Sequence, residues 1–265
     1  MKILKIVIIL SVSFSCSKEP KKWNYKETIS INNISPIGIA PAEKGLWISD
    51  GDHNKLINIS ASGKILDSII GFERPMHIES IQNKIYVPEY GEDRLTFIQN
   101  KEKSQIPIDI KMDGPSGVAI FENQIGIADF YNHQVLFFNG KDWLAFGKKG
   151  NKEGEFHYPT DIQILKDKII VADAYNHRVQ ILDKQGNFLQ FIGENDAMNA
   201  TTGLFVTKKQ IIATDFENNR VLIYSHKGKL LQTITNSLKK PTDILMHQNN
   251  LYITNYAGNS IAVYE

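Results

Sequence analysis

A proline followed 14 positions later by an acidic residue recurs along the chain, from Pro36 to Asp50, Pro75 to Glu89, Pro115 to Asp129 and Pro159 to Asp173. Thr201 to Asp215 and Pro241 to Asn255 keep the spacing with one residue type changed. The acid column returns at intervals of 39, 40, 44, 42 and 40 residues. A period in this range governs the whole fold, because each unit must bury its apolar face against its neighbours. The fourth unit reads as four short strands. Residues 160–165 (TDIQIL) form an inner strand, and 168–172 (KIIVA) are apolar and β-branched, as a strand buried on both faces requires. Residues 178–182 (RVQIL) alternate with period two, 183–187 (DKQGN) make a hairpin turn, and 188–192 (FLQFI) form the outer strand. Six units of about 40 residues with four strands each predict an all-β fold, a six-bladed β-propeller.

The segment FGKKGNKEGEFHYPTDIQILKDKIIVADAYNHRVQILDKQGNFLQFIG, residues 146–193, resembles an NHL repeat with its preceding linker. Asn176, His177 and Arg178 stand where that family takes its name. The likeness is strong in units three and four and fair in units one, five and six. It is weakest in unit two, where Glu92, Asp93 and Arg94 replace the triplet. It extends over residues 35–265 and implies six four-stranded NHL-type blades, in agreement with the count. The sixth unit reaches only its third strand at Glu265, while residues 23–31 (WNYKETISI) resemble an outer strand. The N-terminal strand is therefore expected to complete the last blade and remove an open sheet edge. The propeller is expected over residues 23–265.

Upstream, Lys2 and Lys5 precede an apolar run over residues 6–14. The run is too short for a bilayer core, which takes about 20 residues, and has the flanks of a secretory signal. Cys16, the single cysteine of the chain, follows directly and resembles the acylated cysteine of a bacterial lipobox. The expectation is a signal peptide at 1–15, a tether at 16–22 diacylated on Cys16, and a monomer lipid-anchored in the cell envelope, facing the periplasm or the cell surface. An acylated Cys16 leaves no thiol for a disulfide, a thiolate metal site or cysteine catalysis. Without the two lysines of the signal run, 28 of the 30 basic residues face 29 acidic ones. That balance gives no case for a nucleic-acid partner.

The residue two after the aligned proline or threonine reads Gly38, His77, Gly117, Asp161, Gly203, Asp243. Glycine alternates with an ionisable group, so a sixfold ring would set the ionisable three about 120° apart near the channel mouth. His77, Asp161 and Asp243 could hold Ca2+ or Zn2+ there, or serve locally by bonding backbone amides. The acid column occurs in every blade, which points to a repeated structural task such as accepting amides of the following loop. Just after it come Tyr90, Phe130, Tyr131, Tyr175, Phe216 and Tyr256, with Lys55, Arg94, Arg178 and Arg220 nearby. Rings interleaved with cations on one face suit a protein, peptide or glycan.

His133 resembles in placement a zinc histidine of the six-bladed peptide α-amidating lyases. The other zinc histidines of that family would directly follow the aligned proline, where this chain has Ile37, Met76, Ser116, Thr160, Thr202 and Thr242. No G-x-S-x-G elbow, H-E-x-x-H pair or Walker loop occurs. The leading expectation is a non-catalytic binding module. A metal-assisted lyase or hydrolase at the channel mouth is the alternative. RNA binding, as in cytoplasmic NHL proteins, conflicts with the export signal and the charge.

Overall fold

The computed structural model describes residues 21–265. The expected signal run and Cys16 lie outside the described residues. Six four-stranded antiparallel sheets make up the fold. Blades 1 to 5 span residues 36–70, 79–105, 115–146, 159–192 and 204–234, and in each the strands pair in chain order. The inner strands of successive blades touch around a closed ring, blade 6 against blade 1 included. Among the described residues the only helical elements are the single turns Gly51–His53, Ala174–Asn176 and Tyr256–Gly258.

The sixth blade is composite. Pro241–His247, Asn250–Asn255 and Ser260–Tyr264 pair in order, and the N-terminal strand Tyr25–Ser30 adds outside Ser260–Tyr264. Thr28 lies opposite Ala262 and Ile29 opposite Ile261. The closure read from residues 23–31 is therefore present. Its side chains seal two gaps at once. Trp23 packs with Ile234, Leu251 and Tyr264 on the blade 5 side, while Ile29 and Ile31 pack with Ile57, Ile59 and Ile261 on the blade 1 side.

Blade 4 follows its sequence closely. The inner strand is Pro159–Ile164, one residue earlier than the pattern set it, because Pro159 pairs with Asp173. Ile169, Ile170, Val171 and Ala172 of the second strand are fully buried between neighbouring sheets, as their β-branched run required. The turn before the outer strand Phe188–Ile192 has Gly186 at φ +82°, a conformation that costs a side chain with Cβ. The core is not one central mass but a set of clusters between adjacent blades. Phe137 and Phe156 of the blade 3 side meet Ile162 and Val171, and Ile170 and Ile181 meet Leu204 and Leu222.

Candidate functional site

The aligned proline pairs across its blade with the column acid or its asparagine counterpart, in Pro36–Asp50, Pro75–Glu89, Pro115–Asp129, Pro159–Asp173 and Pro241–Asn255. This brings the start of the inner strand and the loop after the second strand onto one face, called the top. The acids are buried hubs. Asp173 accepts the His157 amide at 2.8 Å, Arg178 Nε at 2.9 Å and Gln180 Nε2 at 2.8 Å, and Asn176 Nδ2 donates to both its oxygens. The bond to the amide 16 residues upstream recurs at Glu89, Asp129, Asp215 and Asn255. The column thus anchors the segment entering its own blade through a backbone amide, and it holds the following loop through the side-chain amides of Asn132, Asn176 and Asn218 rather than through the backbone amides of an Asx-turn.

The expected surface cations belong to the same network. Arg94 and Arg220 bond Glu89 and Asp215, Lys55 lies 3.6 Å from Asp50, and Arg178 is only 5% exposed against Asp173. A carboxylate sealed inside a blade needs a counter-charge or several donors, and these side chains supply it. Their heads therefore turn inward. In blade 3 Gln134 stands in the cation's place, and burial raises Asp129 above the usual carboxylate range.

The fourth residue after each acid has positive φ: Asn54, Asp93, His133, His177, Asn219 and Asn259. Asn, Asp and His tolerate this region best, which accounts for the residue types in the column. In five blades this side chain accepts an amide from the next blade, as His133 Nδ1 does from Tyr158 (3.0 Å) and His177 Nδ1 from Ala200 (3.1 Å). The two histidines are inter-blade ties. Burial, with His157 and Lys149 nearby, keeps His133 below the usual imidazole range.

On this frame the top face carries a ring cluster spanning blades 2 to 4. Tyr90, Phe130 and Tyr131 lie 5.0–5.7 Å apart by centroid. Tyr158 joins them to the next blade, 4.6 Å from Phe130, 4.8 Å from His157 and 5.1 Å from Tyr175. Tyr131 is 47% and Tyr175 54% exposed, while Tyr90, Phe130 and Tyr158 are half-buried. The sequence reading did not find Tyr158 or His157. Tyr158 immediately precedes the aligned Pro159, and its φ of +56° marks the tight entry to the blade. Phe216 and Tyr256 form a separate pair 6.4 Å apart, with Tyr256 bonded to Asp52. The cations beside the rings are Arg74, 5.2 Å over Tyr90, and Lys240, 5.1 Å over Phe216.

His77, Asp161 and Asp243 do converge, with one ligating atom of each within 4.8 Å of the others. They lie below the rim, each buried, at a cavity of about 40 Å3. Glycine is required at the alternating positions. A Cβ on Gly38 would stand 2.6 Å from Met76 O, on Gly117 2.7 Å from Thr160 O, and on Gly203 2.2 Å from Thr242 O. The aspartates also bond backbone. Asp161 accepts the amides of Ile162 (2.7 Å) and Leu204 (2.6 Å), and Asp243 those of Ile244 (2.7 Å) and Ile39 (2.8 Å). Each thus ties its own blade to the following one. His77 Nδ1 has no hydrogen-bond partner and stands 3.6 Å from Asp243 Oδ2. Glu79, two residues along the same strand face, also lines the cavity and was missed, although the fourth column after the proline carries it in plain view. Burial and the charges of Asp243 and Asp161 push Glu79 up to about 8. Burial pushes Asp161 up to about 7, against the pull of His77 and with the help of Asp243. Burial alone would lower His77, but Asp243 and Asp161 hold it above the usual imidazole range.

Comparison with known proteins fits this frame. The family described as "NHL repeat" matches residues 156–182, in blade 4. No curated protein matches the chain by sequence. A streptogramin B lyase structure is similar at 14% identity and TM-score 0.64, over 90% of this chain and 96% of that one. A catalytically inactive virginiamycin B lyase from Staphylococcus aureus with quinupristin is similar at 16% identity and TM-score 0.67, over 91% and 85%. A chain of a nidogen/laminin complex is similar at 15% identity and TM-score 0.63, over 75% and 79%. At these identities the likeness is one of fold. The chain is a six-bladed β-propeller, and its fourth blade matches the NHL repeat over residues 156–182.

Proposed function

We propose that this propeller is a non-catalytic binding module, held as a monomer on the outer side of a bacterial membrane by acylated Cys16, whose top-face rings take a protein, peptide or glycan. The observation that carries the reading is the ring cluster around Tyr158, with Tyr131 and Tyr175 open to solvent. Tyrosine offers a large rigid face and a polar edge at low conformational cost, which suits sugar rings and apolar side chains alike. The rings rest on loops fixed by buried ion pairs and inter-blade ties, so the surface is preorganised and little ordering entropy opposes binding.

The metal-assisted lyase or hydrolase reading draws on the His77, Asp161 and Asp243 cluster. A cavity of about 40 Å3 there has room for an ion and its water but not for a substrate beside them. The binding reading is the better account of the geometry.

Two experiments test it. Wild type and a Tyr131→Ser/Tyr175→Ser double variant are titrated with defined panels of peptides and oligosaccharides, followed by tyrosine fluorescence. A ligand of the wild type should bind the variant at least about tenfold more weakly, as loss of an aromatic anchor implies. Equal affinity for both proteins would reject the ring cluster as the site. For the anchor, Cys16→Ala should abolish fatty-acid labelling and move the protein to the soluble fraction. Unchanged labelling and membrane retention would reject the tether.

A further inference from the structure

We infer that the propeller axis holds a divalent transition-metal ion, zinc by its donor set, bound by His77 Nδ1 and one carboxylate oxygen each from Asp161 and Asp243, and tying blades 2, 4 and 6 together.

The three residues are not merely an acidic cluster. His77 is 4% exposed, and its Nδ1 is buried without a partner while facing Asp243. An unpaired ring nitrogen in this setting costs about 1–3 kcal/mol, so the site is incomplete as it stands. The separation of 3.6 Å from Asp243 Oδ2 is too long for a hydrogen bond. It is close to the edge of a tetrahedral zinc site, about 3.3 Å for ligands about 2.0–2.1 Å from the metal. The third donor lies within 4.8 Å of the other two, so it closes toward that edge by up to about 1.5 Å when the ion binds.

The aspartates are held in place for this. Each oxygen of Asp161 and Asp243 already accepts one backbone amide, which fixes its direction and leaves a second lone pair for an ion. Threefold order would put an aspartate at residue 77 as well, and the chain has histidine there instead. The departure from symmetry supplies the one nitrogen donor. Charge agrees with this. Three carboxylates, those of Glu79, Asp161 and Asp243, face a single imidazole around the cavity. Calcium prefers six to eight oxygens, whereas one imidazole with carboxylates suits zinc. The cavity of about 40 Å3 accommodates the ion with a water as fourth ligand.

The test uses full-length protein purified in detergent, assayed for metal as isolated and again after stripping with a chelator. Wild type should carry about one zinc per chain. Zinc at a hundredfold over Kd should restore the stripped protein with a Tm gain of about 5–10 °C. His77→Leu separates the two accounts, because it removes the one nitrogen donor while its side chain makes no hydrogen bond to lose. With the metal site, His77→Leu should show no zinc response, each protein being read against its own stripped form. Co2+ should give tetrahedral visible bands in wild type alone. Asp161→Asn and Asp243→Asn, which keep one of the two amide acceptors and lose the other, should also lose the response, each being read against its own stripped form. A stripped wild type unmoved by zinc overturns the inference. A zinc response that survives in His77→Leu overturns the residue assignment, and a response to calcium alone overturns the choice of ion. None of these outcomes touches the ring cluster, which stands or falls on its own titration.

Discussion

Deleting residues 21–32 removes the strand that closes blade 6 and uncovers Ser260–Tyr264 along its length. The loss can be worked from burial. Trp23, Ile29 and Ile31 are each under 6% exposed. At about 1.5–3 kcal/mol per buried side chain, their contribution is about 5–9 kcal/mol. The strand also exchanges two backbone bonds between Asn24 and Glu265, at 2.9 and 3.0 Å, and Gln232 brackets the Trp23 backbone from both sides. Domains are stable by about 5–15 kcal/mol in all, so the truncated chain should be unfolded or self-associated at room temperature. A graded version keeps the experiment readable. Ile29→Ala should cost about 2–5 kcal/mol and lower Tm by about 4–20 °C, whereas Lys26→Ala, at an exposed position of the same strand, should change stability by less than about 0.5 kcal/mol. Thermal melts with size-exclusion chromatography read all three. A truncated protein that stays monomeric and melts with the full chain would refute the closure energetics, as would equal effects of Ile29→Ala and Lys26→Ala.

The inter-blade tie at His177 should respond to chemistry rather than size: His177→Ala lowers Tm by about 2–8 °C, since it loses an acceptor and puts alanine at φ +56°, while His177→Asn, the residue used at the same place in blades 1, 5 and 6, stays near wild type. Gly114→Ala should weaken ligand binding by displacing the rings, because its Cβ would meet Tyr131 at 2.8 Å and Tyr90 at 3.1 Å; unchanged binding with unchanged tyrosine fluorescence would contradict this. In metal-stripped protein, Glu79, Asp161 and His77 all hold protons more tightly folded than unfolded. Their contribution is complete below the unfolded carboxylate values and is lost as pH rises through about 7 to 8, so Tm should fall from pH 5 to pH 8, and less steeply in Glu79→Gln. A Tm that is flat or rises over that interval would show that the channel groups ionise freely.

The fold was legible because its signals are local and repeated. A β-branched run such as 168–172 must be buried on both faces, and six copies at one spacing leave little choice but a ring of blades. The site was legible in part. The columns of glycine and ionisable residues, and of rings after the acid, lie at constant offsets from the proline, so they could be read without coordinates. What could not be read is direction. Arg178 and Tyr175 are three positions apart on the same face, yet one turns inward onto Asp173 and the other outward to solvent. The difference lies in the burial of Asp173, which its place in a recurring acid column does not reveal. Tyr158 escaped for the opposite reason. Its neighbours in the cluster are Phe130 and Tyr131 of blade 3 and Tyr175 of blade 4, and nothing in its local sequence announces contacts across that blade boundary.

The alternation around the axis joins these two lessons. A glycine column invites a reading of flexibility, but Gly38, Gly117 and Gly203 are small because the backbone of the next blade, at His77, Asp161 and Asp243, rests where their Cβ atoms would be. Blades therefore come in pairs, an odd blade yielding space and an even blade filling it. Each aspartate then reaches forward to the amide just beyond the next glycine, Leu204 after Gly203 and Ile39 after Gly38. The matching amide for His77 would be that of Val118, which follows Gly117, and an imidazole does not substitute for a carboxylate there. The symmetry that explains five positions of the ring leaves the sixth unexplained by backbone alone. A residue that breaks a structural pattern, at the cost of a buried unpaired nitrogen, is better explained by something it binds than by the fold it interrupts.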